Sequence, residues 1–253
     1  MAVAVLLSWL GHAAAAQDFA MALDYDVRFG PLRLLTMQLT TQATSDRYAA
    51  RMVLETQGLI ARLFPWRAES ETHGRREGDL LRPERHRADG TYRDTRRSVE
   101  IDYAPDGSVR SRISPPPEQD GRTAVPDALQ QATIDPITAS LRAVAAGCRG
   151  LLPVFDGRRR YDMQLSELPA GDVPSSRGLY RGSARRCLAM IEPHAGFWHG
   201  APHESEAPVR LEFWIASPAP GLPDAPVYLE LTGARGTLAV VLRQARLLDA
   251  PPA

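Results

Sequence analysis

Apolar and polar residues alternate along most of the patterned stretches of this chain. Leu23, Tyr25 and Val27, for example, alternate with Asp24 and Asp26. Successive side chains of a β-strand point to opposite faces, so this pattern predicts strands with one buried and one solvated face. Comparable alternation occurs at residues 48–54, 99–103, 161–165, 209–215, 227–231 and 238–242. We therefore predict a mainly β fold, with a curved antiparallel sheet or open β-barrel and one packed α-helix.

That one helix is predicted from a different pattern. Asp135 is a favourable N-cap residue, Pro136 suits the first helical position, and Gly147 suits the residue after the end. Apolar residues between them recur at helical spacing, which predicts a stripe that packs on the sheet. The stripe consists of Ile137, Leu141 and Val144.

Two other stretches interrupt the strands. Residues 58–64, which precede Pro65 and Trp66, predict a short helical turn. Residues 115–126 are polar and rich in proline, which predicts an exposed loop.

The N-terminal residues have the pattern of an export signal. Residues 2–10 form an apolar run, and alanines up to Ala16 provide the small residues that precede a cleavage site. The run is shorter than the roughly 20 apolar residues of a transmembrane helix. No basic residue precedes it, which leaves a buried or interfacial helix as the alternative. The predicted layout is a cleaved signal peptide at 1–16 and a single periplasmic β-rich domain at 17–253, without a transmembrane anchor.

The charges of the chain balance. Thirty arginines oppose 30 acidic residues, and there is no lysine. Such a balance gives no general attraction to nucleic acid, so we expect no nucleic-acid partner. Residues 75–97 are locally basic, with eight arginines against five acidic residues, a net charge of +3. They predict a solvated strand face with local salt bridges, and binding of a phosphate-bearing polymer is the alternative.

The cysteine content bears on the compartment. Cys148 and Cys187 are the two cysteines of the chain. In an oxidising compartment an isolated pair of this kind is expected to form a disulfide. Two unrelated buried thiols are the alternative.

The most distinctive stretch is the decapeptide at 153–162, PVFDGRRRYD. It combines apolar residues, an Asp-Gly turn, three arginines and the start of an alternating strand. With other matching positions it resembles, over roughly residues 20–248, the exported bacterial family called domain of unknown function 3108. The resemblance implies an exported β-rich protein, with an incompletely closed barrel like those of lipoprotein carriers, and carries over no catalytic residue. The other matching positions are Gly58, Trp66, residues 80–83, Asp135, Pro136, Arg186 and Cys187.

Within the decapeptide, strand parity places Arg159 on the apolar face with Tyr161. The opposite, polar face receives Arg158 and Arg160. A buried arginine requires a partner, and Asp156 or Glu192 would supply one. The alternatives are a binding position for an anionic head group, for which arginine geometry is well suited, and a bulge that turns Arg159 outward.

The segment after the decapeptide strand contains three histidines that could suggest a metal site. His194, His199 and His203 lie in a loop rich in glycine and proline, without the spacing of a helical zinc motif. We therefore predict surface histidines, no metal and no cofactor. Trp198 beside them is predicted to cover one end of the core or line a pocket mouth.

These observations favour a non-enzymatic periplasmic protein of the cell envelope. Its partner would be a lipid-like or other apolar or anionic envelope component, or an envelope protein. The residues proposed for binding are Arg159, Asp156, Tyr161 and Trp198. The alternative is an envelope hydrolase that uses carboxylates or the loop from His194 to His203, although no nucleophile elbow or phosphate-binding loop occurs.

Overall fold

A computed structural model describes residues 18–92, 95–174, 177–200, 207–233 and 236–249. The predicted signal peptide at 1–16 lies outside these residues. In the described part, three α-helices, α1 (Gly58–Leu63), α2 (Asp127–Gln130) and α3 (Pro136–Ala145), accompany thirteen strands. None of these helices is long and apolar enough to span a bilayer. The strands are β1 (Phe19–Phe29), β2 (Leu32–Ala43), β3 (Arg47–Thr56), β4 (Arg67–Glu77), β5 (Leu80–Tyr92), β6 (Thr95–Tyr103), β7 (Val109–Ser114), β8 (Gly150–Phe155), β9 (Arg160–Asp172), β10 (Ser183–Ala195), β11 (Val209–Ala216), β12 (Ala225–Gly233) and β13 (Gly236–Leu247).

All thirteen strands belong to one antiparallel sheet. Its order is β7-β6-β5-β4-β3-β2-β1-β13-β12-β11-β10-β9-β8. Every neighbouring pair is consecutive in the chain except β1 and β13, which join its two ends. β7 and β8 are the edges, so the sheet does not close. The predicted mainly β fold with an open antiparallel sheet is confirmed.

The hairpin connections alternate between the two ends of the sheet. The β1–β2, β3–β4, β5–β6, β8–β9, β10–β11 and β12–β13 connections lie at one end, which we call the mouth end. The decapeptide turn and Trp198 therefore lie at the same end as α1.

The strand register defines an inner face. One row of paired residues crosses β1 to β6, and a second row crosses β9 to β13. The alternation predicted from the sequence places these side chains on the same side of the sheet. The first row is Leu23, Leu39, Met52, Ser70, Ala88 and Val99. The second row is Leu165, Ala189, Leu211, Leu231 and Leu238.

Helix α3 lies on this inner face, in contact with β4, β5 and β8. Asp135 Oδ1 caps it by accepting hydrogen bonds from the N–H groups of Ile137 (3.0 Å) and Thr138 (2.9 Å). The predicted cap and first-turn proline are confirmed. The fully buried positions centre on Ala139 and Ala143, because strands enclose the helix from two sides, and the predicted stripe is only partly right. Ile137 is buried, but Leu141 and Val144 are half-buried.

The two cysteines form the predicted pair. Cys148 follows the end of α3, where Gly147 adopts a left-handed φ of +61°, and Cys187 lies on β10. Their Cα atoms are 5.4 Å apart and the sulfur atoms are bonded. The pair ties the C-terminal end of the helix to the β8–β11 side of the interior.

The chain between β7 and β8 fills the gap between the two sheet edges, which we call the seam. Ile134 exchanges backbone hydrogen bonds with β8, from its own N–H to Pro153 O (2.9 Å) and from Phe155 N–H to its own carbonyl (3.0 Å). On the other side, Gln131 Oε1 accepts a hydrogen bond from the N–H of Val109 on β7 (2.9 Å). The prediction that 115–126 is an exposed loop is wrong in part, because this segment turns back into the seam. Asp120 and Val125 are buried there.

Candidate binding site

The decapeptide forms a tight turn between β8 and β9. Asp156 Oδ1 accepts hydrogen bonds from the backbone N–H groups of Arg158 (2.8 Å) and Arg159 (2.7 Å), which fixes the turn. Gly157 has a φ of +89°, and a Cβ atom at that position would lie 2.3 Å from a methyl carbon of Val99 on β6. Only glycine satisfies both constraints. The turn therefore packs directly on the opposite edge region of the sheet.

Arg158 is the buried arginine of this turn. Its side chain is 12% exposed and donates to Asp120 Oδ2 (3.0 Å) and to the Ser114 carbonyl (2.9 Å). Asp120 also accepts a hydrogen bond from Arg97 Nε (2.7 Å). The prediction that Arg158 lies on the solvated face is wrong. The seam segment 115–126 covers that side of the turn, and burial lowers the pKa of Arg158 despite the nearby carboxylate.

Arg159 has the predicted partner but not the predicted burial. Its Nε donates to Asp156 Oδ2 (2.8 Å), and the charge of Asp156 raises the pKa of the guanidinium. Its side chain is nevertheless 58% exposed, because the turn lies at the mouth end, where the interior opens. The expectation of a buried structural ion pair is therefore wrong at this residue.

Arg160 and His194 belong to the other face of β9 and β10. Arg160 is 13% exposed and pairs with Asp162 Oδ1 (2.7 Å), so the prediction of a solvated Arg160 is wrong. His194 Nε2 lies 2.9 Å from Asp162 Oδ2, on the face opposite to Tyr161. Among the described residues no group of three potential metal ligands occurs. His203 lies outside them.

Arg122 and Trp198 form a stacked pair at the mouth end. The guanidinium carbon lies 3.6 Å from the centroid of the Trp198 ring, a cation–π geometry. One nitrogen of Arg122 donates to the Gly196 carbonyl (2.8 Å). No carboxylate in the described part of the chain forms a salt bridge with it. Burial and the neighbouring charge of Arg159 together lower the pKa of Arg122.

A first interior cavity, of about 540 Å³, lies between β3–β6, the start of α3 and the decapeptide turn. Small residues on β4 and β5 leave this space open, since their side chains cannot fill the distance to the helix. The opposite wall carries charged residues from β6, the segment 115–126 and the decapeptide turn. The small residues are Ala68, Ser70, Ala88 and Gly90; the charged ones include Arg97, Asp120, Arg122, Asp156, Arg158 and Arg159.

A second cavity, of about 430 Å³, lies on the other side of the stacked pair. Its remaining wall is predominantly apolar. Arg122, Arg159 and Trp198 line both cavities. All four residues proposed from the sequence thus border one composite site, with Asp156 in the first cavity and Tyr161 in the second. The other lining residues of the second cavity include Ile191, Ala195, Phe197, Val209 and Leu231.

The charged wall of the first cavity, which includes the two arginines shared with the second cavity, has an excess of positive charge. Four arginines face two aspartates there, a net charge of +2. Asp89 at the edge of the first cavity does not reduce this excess, because it pairs with Arg96. A desolvated cationic surplus of this kind favours an anion.

A buried polar network lies behind the first cavity. Asp135 is fully buried, and its Oδ2 accepts hydrogen bonds from the hydroxyls of Thr138 (2.5 Å) and Thr72 (3.0 Å). His86 Nδ1 lies 3.4 Å from Asp135 Oδ1, and Tyr48 hydrogen bonds to Thr138 (2.7 Å). Burial alone would raise the pKa of Asp135, but the adjacent His86 and the hydroxyl and backbone donors of Thr138 lower it. The network holds the start of α3 against the sheet.

Two other surfaces are explained by internal pairing. A groove of about 600 Å³ on the outer face of β13–β1–β2–β3 contains Asp26, which is surrounded by Arg28, Arg33 and Arg243. The basic stretch 75–97 forms cross-strand salt bridges on the solvated face, as predicted. These include Arg75–Glu84, Arg82–Glu77, Arg85–Asp102 and Arg87–Glu100.

Comparison with known proteins places the chain in a family. The family model described as protein of unknown function (DUF3108) matches residues 24–241. The chain belongs to this family. A crystal structure of a β-barrel-like protein of domain of unknown function DUF1849 from Brucella abortus is similar, with a TM-score of 0.53 and 11% sequence identity. It covers 92% of this chain and 99% of its own and supports the fold alone. No curated protein matches by sequence.

The sequence did not indicate two important residues of the DUF3108 chain. Arg122 and Asp120 lie in the proline-rich segment that was predicted to be exposed. A local signal did exist. Asp120, Arg122 and Val125 are an acidic, a basic and an apolar residue close together in the chain, a mixture that a solvated linker does not need. Their position depends on the seam between β7 and β8, which periodicity within single strands does not reveal.

Proposed function

We propose that this protein is a non-enzymatic, exported binding protein of the cell envelope, and that its open barrel holds an amphipathic ligand with an anionic group. The anionic group would lie at the wall shared by the two cavities. The apolar part would occupy the second cavity. This proposal keeps Arg159, Asp156, Tyr161 and Trp198 as binding residues and adds Arg122.

The observation that carries the proposal is the environment of Arg122. Its half-buried guanidinium forms no salt bridge in the described part of the chain, and it lies beside the like charge of Arg159. Both the desolvation and the repulsion disfavour its charged form. An anion at this position would relieve both, and Trp198 holds the guanidinium in place for it.

The second cavity supports the apolar part of the ligand. Its volume of about 430 Å³ is within the range of small-molecule sites, roughly 300–1,000 Å³. Burial raises the pKa of the Tyr161 hydroxyl, with the charge of Asp156 as a second cause. A neutral phenol beside Ile191 and Leu231 suits an alkyl or isoprenoid chain better than a sugar.

The arrangement of the carboxylates supports binding rather than hydrolysis. Asp120 is held by Arg97 and Arg158, and Asp156 by Arg159 and two backbone N–H groups. A catalytic carboxylate needs oxygen atoms that can reach the substrate, whereas these oxygens are occupied by arginines and backbone N–H groups. His194 faces away from both cavities.

Export accounts for the disulfide. Disulfides such as the one between Cys148 and Cys187 persist mainly in oxidising compartments, which supports the proposed export. We expect N-terminal sequencing of protein from a periplasmic fraction to begin at Gln17. An intact Met1 on cytosolic protein would contradict export.

Calorimetric titration with dodecyl phosphate and with neutral dodecyl maltoside, both below their micelle concentrations, tests the binding site. Arg122→Gln should weaken dodecyl phosphate binding about tenfold or more, because a charge-assisted hydrogen bond contributes about 1.5–3 kcal/mol. Arg149→Gln is the matched control, since Arg149 is 78% exposed and pairs with Glu167 away from the site. Equal affinity for both detergents, or unchanged affinity in Arg122→Gln, would refute the proposal.

A further inference from the structure

The most exposed large apolar side chains of the described chain are concentrated in one connection. Leu59, Leu63 and Phe64 are 73%, 71% and 70% exposed. They belong to α1 and the residue after it, between β3 and β4. No residue of α1 is buried, so the helix does not contribute to the core.

The neighbouring hairpin extends this apolar surface. Phe29 and Leu32, on either side of the β1–β2 turn, are 43% and 50% exposed. β2 pairs with β3 up to the start of the α1 connection, and Gln57 Nε2 donates to Thr36 Oγ1 (3.2 Å). The two hairpin tips therefore lie side by side at the mouth end. We call Phe29, Leu32, Leu59, Leu63 and Phe64 the apolar rim.

The charges around the apolar rim are positive. Residues 27–35 and 56–68 contain four arginines and no acidic residue, and Arg67 pairs with Glu55 and Glu69 just outside these ranges. Arg28 and Arg33 share a single carboxylate, Asp26. Arg62, in the last turn of α1, has no ion-pair or hydrogen-bond partner among the described residues. Apolar side chains surrounded by arginine are complementary to a lipid surface with anionic head groups.

The rim also borders the opening of the first cavity. Trp66 ends the α1 connection and lines that cavity together with Trp198 and the decapeptide turn. A surface in contact with the apolar rim would therefore face the cavity mouth.

We propose that the apolar rim docks the protein on an anionic membrane surface, with α1 at the level of the lipid head groups and the cavity mouth toward the bilayer. The proposal rests on the proposed function in one respect, that the docked surface is where the ligand is obtained. Two separate hairpin tips with protruding side chains suit a soft lipid interface better than a flat protein surface. Arg62 adds attraction to anionic lipid.

Co-sedimentation with vesicles tests the docking. Wild-type protein should bind vesicles of phosphatidylcholine with phosphatidylglycerol more tightly than vesicles of phosphatidylcholine alone. The double substitution Leu63→Glu with Phe64→Glu should weaken binding to both by about tenfold or more, because two large apolar side chains no longer insert. Arg62→Gln should weaken binding to the anionic vesicles alone. Leu247→Glu, at the opposite end of the sheet and 55% exposed, is the matched control and should bind as wild type.

The same variants separate docking from ligand binding. The rim variants should keep the wild-type melting temperature and the wild-type affinity for dodecyl phosphate, whereas Arg122→Gln should lose that affinity and still sediment with vesicles. Absence of wild-type vesicle binding, or equal binding by the double rim variant, would overturn the proposal. A wild-type dimer in gel filtration that the rim variants convert to monomer would also overturn it, since a second copy would then cover the rim.

Discussion

The two sides of the interior differ in what their inward side chains do. On the β8–β11 side, Leu165 and Phe213 meet Ala139 and Ala143 of α3 in a continuous apolar cluster. On the β3–β6 side, the inward positions of β4 and β5 toward the mouth end are the small residues Ala68, Ser70, Ala88 and Gly90, and a cavity takes the place of packed side chains. β3 and β6 show the same alternation of polar and apolar residues as the β8–β11 side, whereas β4 shows it only weakly. Alternation thus determines which face points inward, and side-chain size determines whether that face forms a core or a site.

The difference extends to the polar groups. The β8–β11 side, which we call the filled side, is joined to the C-terminal end of α3 by the disulfide between Cys148 and Cys187. The β3–β6 side, which we call the hollow side, holds the start of α3 through Asp135, whose carboxylate accepts hydrogen bonds from Thr72 and Thr138. Hydrogen bonds can hold the helix in position without filling the space beside it.

The largest expected effect tests the contrast in packing. Phe213→Ala on the filled side should reduce the free energy of unfolding by about 3–5 kcal/mol, because a buried aromatic side chain leaves a closed void. Met52→Ala on the hollow side should cost about 1 kcal/mol, because Met52 is half-buried and already borders a cavity. Urea unfolding of both variants gives the comparison. Similar losses would mean that the cavity is filled in solution.

The sequence alone predicts only part of this contrast. Strand alternation and the caps of α3 are local, so Asp135, Pro136 and Gly147 were recognisable from sequence alone. The row of small residues at Ala68, Ser70 and Ala88 was not, because β4 has weak apolar alternation and its partners are set by register. The burial of Arg158 instead of Arg159 depends on the seam segment, which returns from more than 30 residues away in the chain.

A second prediction concerns the hydrogen bonds that Asp135 accepts on the hollow side. Asp135→Ala should cost about 1 kcal/mol for the lost helix cap and about 1–3 kcal/mol more for the buried donors left without an acceptor. Because the folded-state pKa of Asp135 is lowered, its contribution is present above the unfolded pKa of about 3.9 and is lost as the pH falls through the lower folded value.

Urea titrations of wild type and Asp135→Asn at pH 7 and at decreasing acidic pH check this linkage. Asn keeps one acceptor for the helix N–H groups but has no charge, so its stability deficit should narrow below about pH 4. Gln42→Ala, at an exposed position of β2, is a control that removes no contact with a carboxylate and should show no such narrowing. A deficit that stays constant with pH would contradict the charged state of Asp135.

The smallest expected effect on stability is at Arg159, and it distinguishes residues of the binding site from residues that support the fold around it. Arg159→Ala removes a pair whose arginine is 58% exposed, so it should cost at most about 1 kcal/mol. Arg158→Ala should cost more, about 3 kcal/mol, because it leaves Asp120, which is 8% exposed, with one arginine in place of two.

The two variants should rank in the opposite order for ligand binding, with the larger loss of affinity relative to the loss of stability at Arg159. Arg159→Ala should bind dodecyl phosphate several-fold more weakly while melting close to the wild-type temperature, since Arg159 lines both cavities. If Arg159→Ala instead destabilised the protein as much as Arg158→Ala, the turn would be structural throughout and the anionic site would have to lie elsewhere.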